Sequence, residues 1–351
     1  MNVDYGVSRY TNIGGYTCYM NSILAVLQQT PLFADYIVCG EFIIDKTKSE
    51  IKDTVTFQLH KLFKKSLSNN DSVLTASSFY KTISKKNDMW GERSHQDTQE
   101  FLCFLLNSIE EEVCEKVNFI GGRNISINNK LSMSECIQNI VAQKKWEQFV
   151  KNEFSPIKTM FTGLLKSSTK CDKCSYTFNS YDTFQCLQLS IPENDDITLY
   201  DCLNHYTDEE QLDDDNRITC DFCLEKNNSY KSHFIKRTPK ILVIQLKRFK
   251  VNMYGQVCGK NTKFVDYPLN KLDLTNYSND TKNMYNLFAV NLHHPIGVFN
   301  SINFGHYTSV VKNRINNKWY HYDDDSKVEY INDVDDIVNN KAALLFYLRE
   351  E

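Results

Sequence analysis

The sequence predicts an α+β fold, and two observations carry that prediction. From Cys18 to about Pro156 the apolar residues recur mostly at helical spacing. From Thr162 onward short apolar or alternating runs of strand length take over. The continuous run ILVIQL, Ile241 to Leu246, is the clearest buried strand.

Each element has its own signal. Thr17 stands where an N-cap belongs, and Met20, Ile23, Leu24 and Leu27 repeat at helical spacing until Pro31 stops the run. Phe101, Leu102, Leu105, Leu106 and Ile109 form a second helical stripe, opened by Asp97 and Glu100 at capping-box spacing. Glu135 to Val150 reads as a third helix with Ile137, Ile140, Val141 and Phe149 on one face. FQCLQLSIP, Phe184 to Pro192, is a strand pattern. Tyr307 to Val311 and Lys318 to Tyr322 are two strands joined by the polar turn Asn313 to Asn317. Asn118 to Asn129 and the acidic run Thr207 to Asn216 are the extended loop candidates, the second read as a solvated connection. No internal repeat or Pro/Gly/Ser-rich linker interrupts the chain, which at 351 residues and 41% hydrophobic content can bury a core of two or three subdomains.

Composition excludes several function classes. A net charge of −4, with lysines scattered among acids, gives no electrostatic footprint for nucleic acid. No apolar run reaches bilayer length, and MNVDYGVSRY lacks a basic region followed by an apolar one. Twelve cysteines in a chain this long are too sparse for a disulfide scaffold. The expectation is a soluble protein of the cytoplasm or nucleus, with no membrane or nucleic-acid partner.

Three residues form a candidate catalytic set. Cys18 would open a buried helix, where unpaired amides and the positive end of the helix dipole favour thiolate over thiol. In an antiparallel hairpin opposed residue numbers sum to a constant, so a pivot near Arg314 and Ile315 sets His306 across from Asp323, within two residues of register. The carboxylate could then fix the imidazole tautomer and leave the other ring nitrogen for Cys18. Singly, each is more simply a packed thiol, a core histidine and a solvated turn. The agreement of helix opening with hairpin register favours chemistry.

Four other cysteines make a second pattern. Cys171 and Cys174 form one C-x-x-C and Cys220 and Cys223 another, and two such knuckles can surround one zinc with four thiolates. The gap between the pairs requires the chain to leave and return, and Phe184 to Pro192 could do so through a neighbouring sheet. Unpaired thiols at a hairpin tip and a redox C-x-x-C are the alternatives. The redox reading lacks a helix opened by either pair after a strand.

These blocks, NIGGYTCYMNS, SHQDTQEFLCFLL, MFTGLLKSSTKCDKC, ILVIQLKRF, YNLFAV and FGHYTSVV with WYHYDD, resemble in order those of the ubiquitin-specific proteases, and the resemblance runs from Gly6 to Leu348. It implies a papain-like deubiquitinating cysteine peptidase that hydrolyses isopeptide bonds after the C-terminal Gly of ubiquitin. The implied architecture is one catalytic domain, residues 5–349. It has a helical thumb over about 5–160, zinc-tipped β fingers over about 161–238, a β-rich palm over about 239–349, and no accessory domain. The implied roles are Cys18 as nucleophile, His306 as base, Asp323 as third member and Asp324 as a second acid. Asp97 and Glu100 would meet the basic ubiquitin tail, which is compatible with capping, and Tyr307 would wall its channel. Structural Zn²⁺ on Cys171, Cys174, Cys220 and Cys223 is implied as well, with ubiquitin and ubiquitinated proteins as partners.

One departure sits beside the chemistry. The family places an Asn five residues before the nucleophile to help hold the oxyanion, and here that position is Ile13, with Asn12 one residue further away. Losing such a donor costs about 2.7–4 kcal/mol in the transition state. A bulge at Gly14 and Gly15 could return Asn12 to the site. Two rival functions stay open: a ubiquitin-binding pseudoenzyme, and a peptidase for another ubiquitin-like modifier.

Overall fold

The computed structural model describes residues 7–43, 47–68, 72–115, 132–151, 154–251, 257–278, 280, 283–295 and 305–350. The predicted loop Asn118 to Asn129 lies outside them, as do residues 296–304 ahead of His306. The helical part includes α1 (Cys18–Gln29), α2 (Phe33–Cys39), α3 (Val55–Ser68), α4 (Thr98–Val113) and α5 (Met133–Lys151), with further helices at Lys48–Ile51, Ser77–Lys86 and Pro156–Phe161. Every residue of α1 is buried, because α2, α3, α4 and a sheet enclose it. It ends at Thr30, since the ring of Pro31 cannot continue the hydrogen-bond ladder. Tyr19 of α1 meets Phe101 of α4 edge to face at 5.2 Å, which fixes the two helix starts against each other.

Helix α5 exists where predicted, and Phe149 of the expected face packs partly, but the buried stripe is a different one. Ala142, Trp146 and Val150 pack against Leu164, while Ile137 and Val141 are exposed. The indole at i and its i±4 neighbours set the contact stripe, and the smaller aliphatics next to it were a misleading guide.

Two sheets follow. The strands, in chain order, are β1 (Gly163–Cys171), β2 (Thr177–Phe184), β3 (Leu187–Ser190), β4 (Glu210–Leu212), β5 (Ser229–Arg237), β6 (Ile241–Lys247), β7 (Met284–Pro295), β8 (Gly305–Lys312), β9 (Trp319–Tyr322), β10 (Glu329–Ile331) and β11 (Ala342–Arg349). The smaller sheet has the order β2-β1-β5-β4. Strand β4 corrects the reading of Thr207 to Asn216 as a wholly solvated connection, for Glu210 pairs with Lys231 and Gln211 with Tyr230. At a sheet edge charged residues are compatible with a strand.

The larger, eight-stranded sheet runs β10-β9-β8-β7-β11-β6-β3, with Leu272–Asp273 added beside β7. The predicted strand at Phe184 to Pro192 is shorter, β3, and it leaves the small sheet to pair parallel with β6. One face of the large sheet shares a core with α1 through Tyr307, Val311 and Phe346. The other packs on a helix at Leu199–Thr207 through Leu242, Ile244 and Leu345. Burial on both faces explains why β6 reads as a continuous apolar run instead of an alternating one. Among the described residues no single helix is long and apolar enough to cross a membrane.

Candidate active site

Cys18 is the first residue of α1 and its side chain is fully buried. The expected Thr17 side-chain cap is absent. The Thr17 hydroxyl instead accepts from the Ile13 amide at 2.8 Å, tying off the tight turn Ile13–Gly15. That turn needs left-handed backbone at Gly14 (φ 64°) and Gly15 (φ 81°), so the predicted bulge forms, and Ile13 packs on the core.

The hairpin carries the second and third residues. Strands β8 and β9 pair Ser309 with Tyr322 and Val311 with Tyr320, which moves the pivot one residue beyond the predicted one. The shift in register is two residues, within the stated tolerance, and it preserves the side-chain face. His306 and Asp323 therefore meet diagonally just past the last paired rung, with His306 Nε2 and Asp323 Oδ1 2.6 Å apart. Hydrogen bonding to Cys18 is the largest cause raising the His306 pKa to about 9; Asp323 adds to it and burial opposes it. With Nε2 on Asp323, Nδ1 is the nitrogen free for a proton from the thiol.

Asp324 takes a separate position. Its Oδ2 is 3.9 Å from His306 Nε2, and its nearer partners are two amides. Asn12 Nδ2 donates to Asp324 Oδ2 at 2.7 Å, and Asn21 Nδ2 donates to Oδ1 at 2.8 Å. Burial raises the Asp324 pKa, with both amides and His306 opposing. The Asn12 carbonyl oxygen accepts from the Thr17 amide at 2.8 Å. The bulge brings Asn12 next to the Cys18 turn, where one of its two amide N–H groups goes to Asp324 and, among the described residues, no bond from it to Cys18 is present. Asn21, one turn after Cys18 on the same helix, was missed in the sequence, although that spacing is the signal that marks it.

On the facing wall, Asp97 Oδ1 accepts from the amides of Gln99 and Glu100 at 2.7 and 3.1 Å, capping α4. Burial raises the pKa of Asp97, as do burial and the charge of Asp97 for the exposed Glu100. Tyr307 is only 2% exposed and stands behind the cleft, 4.7 Å from the ring of His293. His293 accepts from Lys260 Nζ through Nδ1 at 2.8 Å, and burial followed by the Lys260 charge lowers its pKa to about 3. Its ring lies against Gly305, where any Cβ would clash with it. His95 has Nδ1 3.9 Å from the Cys18 sulfur. The sequence signal for it was its place inside the Asp97 block, two residues ahead of the helix cap.

The four cysteines meet at the tip of the small sheet. The sulfurs of Cys171, Cys174, Cys220 and Cys223 all lie within 4.8 Å of one another. Cys174 and Cys220 are 3.7 Å apart, near the sulfur–sulfur edge of about 3.8 Å that Zn–S bonds of about 2.3 Å impose on a tetrahedron. Both knuckles close alike, with the Ser175 amide on the Cys171 carbonyl and the Leu224 amide on the Cys220 carbonyl, and with Ser175 (φ 59°) and Leu224 (φ 60°) left-handed. The donor set and spacing fit a tetrahedral thiophilic metal.

Residues 9–347 match the family model described as Ubiquitin carboxyl-terminal hydrolase. Ubiquitin carboxyl-terminal hydrolase 2 of Bos taurus is 31% identical over 348 residues, covering 97% of this chain and 55% of the relative. Ubiquitin carboxyl-terminal hydrolase Usp2 of Drosophila melanogaster is 29% identical, covering 98% and 35%. The chain thus spans about half, or less, of the length of these curated relatives. Among solved structures, the yeast SAGA DUB module with an Sgf73 mutant superposes with a TM-score of 0.74 at 25% identity, covering 100% of this chain and 70% of that one. The SAGA Ubp8/Sgf11/Sus1/Sgf73 DUB module bound to ubiquitin aldehyde gives 0.72 at 25% identity, covering 100% and 71%.

Proposed function

Since this chain belongs to the ubiquitin carboxyl-terminal hydrolase family, we propose that it is a thiol-dependent deubiquitinase, cleaving isopeptide bonds after the C-terminal Gly of ubiquitin. The observation that carries this reading is the 2.6 Å His306–Asp323 bond, on an imidazole whose pKa is raised chiefly by Cys18. Cys18 gives its proton to His306 and attacks the Gly carbonyl. His306 then protonates the departing lysine amine and activates the water that releases ubiquitin from the thioester. Asp323 orients the ring, and Asp324 holds Asn12 and Asn21 beside it.

Asp97 and Glu100 are read as meeting the basic tail of ubiquitin. The buried carboxylate of Asp97 is easier to keep charged once a guanidinium pairs with it. Tyr307 supports the channel wall through His293. Cys171, Cys174, Cys220 and Cys223 would hold a zinc ion, which supplies structure and no chemistry, since four thiolates leave no position for water. In this reading the thumb extends to about residue 160, the fingers over 161–238 and the palm over 239–349, with the enzyme at work in the reducing cytoplasm or nucleus.

The test is to mix the protein, and separately Cys18→Ala, with ubiquitin bearing an electrophile in place of its terminal Gly. The expected result is an adduct by mass on the wild type alone. A second reading, ubiquitin binding without turnover, is favoured by one observation, the engagement of the Asn12 amide with Asp324. Ubiquitin binding without any adduct would select it. An adduct only with another ubiquitin-like modifier would reassign the substrate.

A further inference from the structure

Two helices begin beside each other at the cleft. Cys18 is the first residue of α1, and His95 stands two residues ahead of Asp97, the cap of α4. The packing of Tyr19 on Phe101 at 5.2 Å, and of Phe101 on Trp90 at 5.2 Å, locks those starts together. The 3.9 Å separation of His95 Nδ1 from Cys18 Sγ is therefore set by buried contacts on both sides.

When the sulfur attacks a carbonyl, the new oxyanion forms a second neighbour away from Sγ. A donor serves it from about 2.7–3.1 Å. A nitrogen 3.9 Å from the sulfur is within one hydrogen bond of that position. Asn12 is held away from the sulfur, one amide N–H donating to Asp324 and its side-chain oxygen accepting from Thr17.

We infer that His95 supplies the side-chain hydrogen bond to the oxyanion, through Nδ1–H, in place of Asn12. The inference rests on the acyl-transfer function proposed above. In the step itself the sulfur lone pair forms the C–S bond and the carbonyl π pair moves onto oxygen, where His95 donates. On collapse the C–N bond breaks, the amine takes its proton from His306, and His95 keeps its own throughout.

Two substrates distinguish this role from a thiolate partner or a structural one. A fluorogenic amide of the ubiquitin C-terminus passes through an oxyanion. Ubiquitin carrying a C-terminal haloalkyl amine alkylates Cys18 by displacement, without one. His95→Ala is expected to lose roughly 10²–10³-fold in kcat on the amide with little change in KM, while alkylating Cys18 at close to the wild-type rate. His95→Gln, which retains an N–H donor, should recover most of kcat. Asn12→Ala should lose less kcat than His95→Ala. A parallel fall of amide turnover and alkylation in His95→Ala would overturn the inference, as would unchanged kcat or a failure of His95→Gln to recover anything in a folded protein. Wild-type protein that reacts with neither ubiquitin probe yet alkylates with iodoacetamide would instead refute the proposed function, and this role with it.

Discussion

Asn12 and Asp324 lie 312 positions apart in the chain and are joined by a 2.7 Å hydrogen bond from Nδ2 to Oδ2. The same carboxylate binds Asn21, so one buried side chain, 8% exposed, fastens the turn before Cys18, the first turn of α1 and the end of the hairpin that carries His306 and Asp323.

Asp324→Ala strands the Asn12 amide and leaves Asn21 only its 3.2 Å bond to the Tyr10 carbonyl. Each buried donor left without a partner costs about 1–3 kcal/mol. Urea unfolding should show a loss in that range, together with slower reaction of Cys18 with the ubiquitin electrophile. Stability within about 0.5 kcal/mol of wild type, the scale of a neutral surface change, would mean the bridge does not hold the site together.

The His306 pKa is raised from an ordinary 6.5 to about 9, with Cys18 as the largest cause. A raised imidazole pKa means that the folded state binds the proton more tightly. The resulting stability is fully present below about pH 6.5 and is lost as pH rises through about 9. Cys18→Ala should lower the His306 pKa, which NMR titration of the ring can follow. Titration still near 9 in that variant would contradict the assigned cause.

Asp97→Asn separates capping from substrate contact. Asn caps a helix as well as Asp does, so thermal stability should hold. Removal of the charge should raise KM for a ubiquitin substrate with less effect on kcat. If KM stays at the wild-type value, Asp97 is a cap alone.

Purified protein should carry one zinc per chain by elemental analysis. Cys171→Ser, or a strong chelator, should lower the melting temperature and weaken ubiquitin binding, because the knuckles close the tip of the sheet that would grip the substrate. Folded protein without metal would remove zinc from the account.

The sequence located the hairpin of His306 and Asp323 to within a two-residue register shift, because strand periodicity fixes which face a side chain takes even when the pivot moves by one. It was less informative for α5. There the apolar pattern offered two stripes, and the position of Leu164 decided that Trp146 would face inward. The acidic run before Asn216 was misread in part, since pairing at a sheet edge leaves little hydrophobic signature.

By itself the sequence determined what depends on short spacing: the start of α1 at Cys18, the two C-x-x-C knuckles, the Asp97 cap and the hairpin that carries His306 to Asp323. Only the tertiary structure decided the rest. Whether the Asn12 amide turns to Asp324, and whether His95 stands over the Cys18 sulfur, depends on three-dimensional contacts between segments distant in the chain. The direction of a polar side chain is set by the nearest unsatisfied partner in space, and that partner has no fixed offset in sequence.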